Sequence, residues 1–232
     1  MVLSNWKQIH THILELEQEG LVTRTFRRLD PERQQAVLFA ILDEAIEKGP
    51  TSINVKMIAE RAEVSVGSLY TYFHNREDLL SFTVELCVRF IIDELAKFRP
   101  MLVSMPLRDA LKAYLTGGIE WSRSQLGLIQ FFARAAYQGD PALAERVVRP
   151  IATILREIVH DILSHAAELG EIQEDVDLDA ATRIVHALMI VVGDSLLLPY
   201  LNTYFQVEAP ELPKERVLEA MLALIIQGIG TR

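Results

Sequence analysis

Residues 54–73 read NVKMIAERAEVSVGSLYTYF, and they hold the side chains with the clearest chemical use. Ser65, Ser68, Tyr70, Thr71 and Tyr72 crowd uncharged hydroxyls into eight residues. Hydroxyls of this kind bond phosphate oxygens or base edges, and a threonine methyl can meet a thymine methyl. Val55, Ile58, Ala59 and Ala62 make one apolar face of a short helix capped by Asn54. Glu63-Val64-Ser65 is a tight turn, and Ser65 caps a second short helix that buries Leu69 and Phe73 and exposes Ser68, Thr71 and Tyr72. Ala59 is small enough for two helices to cross there. This is the pattern of a helix-turn-helix, with the second helix offered to a major groove.

Other constellations fail on spacing. Ser195 lacks the flanking glycines of a nucleophile elbow and the strand such an elbow needs. Gly117-Gly118 lies in a helical pattern with no strand before it, so it makes no phosphate loop. His160 and His165 are badly spaced for one metal on a helix, and His10 and His12 point to different sides. Asp175, Asp177 and Asp179 alternate like the start of a calcium loop. Ala180 stands where glycine is required and His186 where the bidentate glutamate belongs, so helix capping explains the acids better. No enzyme and no cofactor is expected.

The elements that hold these residues read as helices almost throughout. Trp6, Ile9, Ile13 and Leu16 form the stripe of a first helix ending at Gly20. Asp30-Pro31 opens another, with Val37, Leu38, Ile41, Leu42, Ala45 and Ile46 on its buried face and Gly49-Pro50 at its end. Asn75 caps a long helix from about Arg76 to Phe98, after which Pro100 and Pro106 bracket a break. Further helices are expected at about 107–124, 126–138, 141–169 (kinked at Pro150), 178–201 and 213–229. The chain is thus all-α. Half of its 232 residues are hydrophobic, enough for a substantial core. The single cysteine, Cys87, excludes an internal disulfide and sits in an apolar pattern, as a buried residue would. The opening residues lack a signal-peptide pattern, and Gly193, Asp194 and Ser195 interrupt the longest apolar stretch; a soluble cytoplasmic chain, away from membranes, is expected. The net charge of -9 excludes indiscriminate coating of nucleic acid but leaves room for a locally positive reading face.

From Gln34 to Leu80, and most densely in IAERAEVSVGSLYTYFHNREDLL at 58–80, the sequence resembles the TetR family of transcriptional regulators. Ile58-Ala59, Val64-Ser65, Gly67-Ser68, Leu69-Tyr70-Thr71-Tyr72-Phe73 and Arg76-Glu77-Asp78-Leu79-Leu80 carry the likeness. Two positions depart from it. Glu63 stands where the family usually has glycine, and Val66 where lysine or arginine is common.

The resemblance implies a helix-turn-helix DNA-binding domain packed on a larger helical ligand-binding and dimerisation domain. It divides the chain into an extension at 1–29, the DNA-binding domain at 30–80 and the larger domain at 81–232. DNA contacts are expected from Lys56, Ser65, Val66, Gly67, Ser68, Tyr70, Thr71, Tyr72 and Arg76; of these Tyr70 could be half core, with only its hydroxyl exposed. The implied partners are a palindromic duplex operator, a second copy of the chain and an unidentified small ligand. Candidate ligand-lining residues are Phe98, Met101, Met105, Trp121, Phe131, Phe132, Tyr137, Met189 and Tyr200, with Arg134, His160 and Asp194 as polar anchors. Leu188, Met189, Val192, Leu196, Leu218, Leu222, Ile225 and Ile226 are candidates for a dimer seam, or for the protomer core. The function implied is a repressor released from DNA by an apolar or amphipathic ligand. A helical carrier of apolar molecules, and a regulator controlled by a protein partner, are the alternatives. Arg24, Arg27 and Arg28 in the extension leave two readings open: a basic arm reaching DNA, or a helix packed on its own domain with the arginines solvated.

Overall fold

Local chemistry sets most helix boundaries in the computed structural model, which describes residues 6–231. The elements are α1 Trp6–Gln18, α2 Arg24–Arg27, α3 Pro31–Lys48, α4 Val55–Arg61, α5 Val66–Tyr72, α6 Arg76–Val103, α7 Leu107–Ser124, α8 Leu126–Gln138, α9 Pro141–Leu143, a π turn at Ala144–Val148, α10 Arg149–Glu168, α11 Leu178–Leu197, α12 Pro199–Phe205 and α13 Lys214–Ile229. No strand occurs among the described residues, which carry only two isolated bridges. The opening Met1–Asn5 and the side chains of Trp6, Ile9 and His10 lie outside what the structure describes.

Helix starts follow the expected caps. Asp30 accepts the N–H of Arg33, Asn54 that of Lys56, Ser65 that of Ser68, Asn75 that of Asp78 and Asp177 that of Ala180, each at 2.9 to 3.1 Å. Each bond satisfies an amide that a helix start leaves open. Two boundaries differ from the sequence reading, both at prolines. α6 runs through Pro100 to Val103 instead of ending near Phe98. The missing N–H falls within the last turn, and Ser104 N–H to Pro100 O then closes the helix. Conversely, the helix expected to reach 201 stops at Leu197. Leu198 is extended (φ -127°, ψ 95°) because the following Pro199 disfavours a helical residue before it. In the 141–169 segment Pro150 sits in the first turn of α10, behind the π turn.

The chain divides into two compact units. The first is Met1–Ile91 with Gln125–Val147, and the second is Ile92–Ser124 with Val148–Arg232. In the first, α8 packs on α3 nearly backbone to backbone. A Cβ on Gly127 would lie 2.0 Å from the Ile46 carbonyl oxygen and 2.9 Å from that of Ala45. Only glycine allows this approach. Gly49, which ends α3 at φ 86°, lies on the same contact, 3.6 Å from the Gly127 oxygen when given a Cβ. Cys87 is buried in this unit, and desolvation holds its thiol well above the usual range. In the second unit α7, α10, α11 and α13 enclose a core that includes Leu111, Val159, Leu163, Met189 and Leu222. Glu171 accepts the Leu107 N–H at 2.7 Å, capping α7 from the loop before α11.

Candidate nucleic-acid interface

The helix-turn-helix is held from α3 by a carboxylate that sequence reasoning passed over. Glu44 is 1% exposed, in the middle of the apolar face of α3. One oxygen accepts the Asn54 N–H at 3.1 Å, at the head of α4; the other lies 3.4 Å from Arg61 in its last turn. Arg61 also donates twice to Glu47 at 3.0 Å, and that pairing raises its already high pKa. Both ends of α4 are therefore fixed to α3. The signal was present in the sequence: an acid three residues from Ile41, on an otherwise apolar stripe, needs a partner.

The turn that follows has a defined geometry. Val64 N–H bonds Ala59 O at 2.9 Å and Glu63 N–H bonds Glu60 O at 3.2 Å, the two bonds of a Schellman motif. Its closing residue must be left-handed, and Glu63 has φ 54°. This is the physical reason for glycine at that position in the family pattern. Glu63 itself is exposed beside α5.

Along α5 the hydroxyls are organised among themselves. Ser65 Oγ lies 2.8 Å from Ser68 Oγ, and Thr71 donates to the Ser68 carbonyl at 2.6 Å. Thr71 therefore turns outward a methyl group and acceptor lone pairs, with its proton already committed. Ser65, Gly67, Thr71 and Tyr70 are exposed, Tyr70 at 41%; Ser68 and Val66 are half-buried. Lys56 and Arg76 are exposed at the starts of α4 and α6. Tyr72 corrects the sequence reading. It is 6% exposed, with its ring 5.7 Å from Phe26 in a cluster with Phe73 and Phe82. Leu69, Tyr72 and Phe73 fall at i, i+3 and i+4, so they share the buried face and leave Tyr70 outside. The two tyrosines exchange the places expected for them.

The remaining candidate residues scatter. Phe131, Phe132, Arg134 and Tyr137 belong to the first unit, whereas Phe98, Met101, Met105, Trp121, His160, Met189, Asp194 and Tyr200 belong to the second. Phe98, Met101, Tyr137 and Tyr200 are exposed, and Met189 is core. Arg134 donates to its own helix at Gln130 O. His160 is partly exposed, 3.5 Å from the Ser164 hydroxyl. Of the residues considered for a dimer seam, Val192, Leu222 and Ile225 are buried inside the second unit, while Leu196, Leu218 and Ile226 pack against its core. Leu188 is 40% exposed. The strongly exposed apolar residues of α11 and α13 are Ile184 at 62% and Leu224 at 71%, neither singled out from sequence. α11 is long and apolar enough by composition to cross a membrane, with a third of its most apolar stretch buried. Among the described residues no three His, Cys, Asp or Glu side chains gather as metal ligands.

Residues 37–81 match the family model described as "Bacterial regulatory proteins, tetR family". No curated protein matches the chain. Solved structures share the fold. A transcriptional regulator from Rhodococcus sp. Rha1 has TM-score 0.58 at 22% identity, covering 85% of this chain and 98% of that one. A tetR-family regulator from Mesorhizobium loti has TM-score 0.57 at 17% identity, with coverages of 90% and 100%. FadR from Bacillus subtilis, in complex with stearoyl-CoA, has TM-score 0.56 at 18% identity, with coverages of 84% and 98%.

Proposed function

Because residues 37–81 match the tetR-family model, we propose that this chain is a cytoplasmic repressor of the TetR type whose grip on a palindromic operator is released by a small apolar or amphipathic ligand. The observation that carries the DNA half is the α4–turn–α5 unit, fixed to α3 by Glu44 and presenting Tyr70, Thr71 and Ser65 outward. Lys56 and Arg76 hold phosphate on either side of α5, giving register without sequence information. We assign DNA reading to 30–80, and ligand binding and dimerisation to 81–232.

Dimerisation is supported by Ile184, Leu188 and Leu224, apolar side chains left exposed on α11 and α13 after the protomer core is complete. A second copy covers them, as an isologous pairing of the same patch. Two reading heads then meet successive grooves about 34–36 Å apart. The ligand acts by preferring a conformation that loses this spacing, and equal affinity for both states would shift nothing. An amphiphile of the kind held by FadR is the class we favour.

The test is selection of duplex fragments by the full chain, with affinity followed against salt. A short palindrome bound by a dimer is expected. Weak binding without sequence preference, lost at modest salt, would overturn the regulator reading and favour a carrier.

A further inference from the structure

The first 29 residues lie outside the stretch 37–81 that matches the family, yet part of them is built into the reading head. Thr23 donates its backbone N–H to Tyr72 O at 2.9 Å and its hydroxyl to Thr71 O at 2.9 Å. These are carbonyls that the end of α5 leaves without helical partners. Three residues on, Phe26 is fully buried, with ring centroids 5.7 Å from Tyr72 and Phe73 and 6.2 Å from Phe82. Gln34 of α3 donates to the Phe26 carbonyl at 3.2 Å. Thr23 to Phe26 are thus docked on the domain and do not form a free arm.

Its three arginines are not equivalent. Arg27 forms an ion pair with Glu17 of α1. The other α1 acids nearby, Glu15 and Glu19, are both taken by Arg89 of α6. Arg24 and Arg28 are exposed, and among the described residues neither pairs with a carboxylate. The Arg28 N–H bonds Arg24 O at 3.1 Å, so the two lie one helical turn apart on one side of α2. Two uncompensated guanidinium groups thus stand on the element bonded to the backbone of Thr71, a residue on the exposed side of α5.

We propose that Arg24 and Arg28 are a second phosphate grip, holding the DNA strand that runs past the C-terminal end of α5, with α1 and α2 as the clamp that fixes them. This rests on α5 being the DNA-reading helix. A guanidinium matches a phosphodiester through two parallel hydrogen bonds and discriminates nothing about sequence. The pair therefore contributes affinity and register, and α5 keeps the choice of site.

The experiment compares the full wild-type chain, the double variant Arg24→Gln with Arg28→Gln, and Arg27→Gln. Each is titrated with its selected duplex and with a scrambled duplex over a range of salt, and each is melted as a check on folding. The double variant should weaken both duplexes by the same factor, with wild-type melting. Its slope of log affinity against log salt should fall by about 3.6 for the bound dimer, which loses two phosphate contacts per protomer at about 0.9 each on B-DNA. Arg27→Gln should leave the slope unchanged, its charge being already met by Glu17. An unchanged slope in the double variant overturns the proposal and leaves these arginines as solvated surface. An equal fall in Arg27→Gln also overturns it, since the effect then belongs to overall charge. Absence of duplex binding by the wild-type chain is a different failure, that of the DNA reading itself.

Discussion

Replacing Glu63 by glycine should stabilise the chain and tighten DNA binding, through two causes that can be separated. The residue closes the Schellman turn after α4 at φ 54°, where an L side chain costs about 1–2 kcal/mol. Glycine removes that cost but returns about 0.4–1 kcal/mol through the greater freedom of the unfolded chain. The net gain is about 0.5–1 kcal/mol, a rise in melting temperature of roughly 1–4 °C for a chain of this size. The second cause is charge. At roughly 10 Å, a carboxylate and a phosphate repel by about 0.4 kcal/mol in water, near a twofold change in affinity per protomer. Salt screens that term over a Debye length of about 10 Å at 0.1 M. Glu63→Gln removes the charge and keeps the strain, whereas Glu63→Asn removes the charge and tolerates the left-handed backbone. Melting curves should therefore rank Gly and Asn above Gln, with Gln equal to wild type. Binding at low salt should improve in all three. A lower melting temperature for Glu63→Gly, or a Gln variant as stabilised as the Gly variant, would refute the reasoning.

Gly127→Ala places a methyl carbon 2.0 Å from the Ile46 carbonyl oxygen, a backbone atom that cannot swing aside. A loss of about 3 kcal/mol is expected, and wild-type melting would show that α3 and α8 do not touch there. Tyr72→Ala should cost roughly 3–5 kcal/mol by truncating the aromatic cluster. Tyr70→Phe should melt like the wild type and lose about 1 kcal/mol of DNA affinity, and the opposite pattern would reverse the assignment of the two tyrosines. Burial, and then the charge of Arg156, holds the His186 imidazole below its ordinary pKa of 6.5. The unfolded chain then binds the proton more readily, so stability falls as pH drops below about 6.5 toward the folded value. His186→Asn should shrink the melting difference between about pH 7.5 and pH 5.5, and an unaltered difference would remove His186 as its source.

What could be read from the sequence was local. Asp30, Asn54, Ser65, Asn75 and Asp177 cap helices because a short polar side chain reaches amides two or three residues ahead, whatever the rest of the molecule does. The face carried by Leu69 and Phe73 was legible from spacing, and Tyr72 followed the same spacing against the expectation drawn from its hydroxyl. The seam residues could not be separated from the core for the opposite reason. α11 and α13 are apolar on most sides, so periodicity does not tell core Val192, Leu222 and Ile225 from exposed Ile184 and Leu224. The α3–α8 contact rests on a single glycine, Gly127, whose neighbours give no pattern to detect.

The net charge of -9 and a DNA-reading face are easier to reconcile once six acids of the first unit are followed to their partners. Glu44 and Glu47 hold Arg61, Glu15 and Glu19 hold Arg89, Glu17 holds Arg27, and Glu85 holds Arg146 at 2.9 Å. These carboxylates fasten helices to one another, and at a distance each largely cancels against the cation beside it. Lys56, Arg76, Arg24 and Arg28 have no such partner among the described residues. A sum over the whole sequence counts a structural acid and a free one alike, while a phosphate responds to the cations that remain uncompensated within a Debye length of it. Glu60, Glu63 and Glu77 are exposed acids of the reading head that this arrangement does not explain, and removing Glu63 tests the electrostatics of the face as well as the strain of the turn.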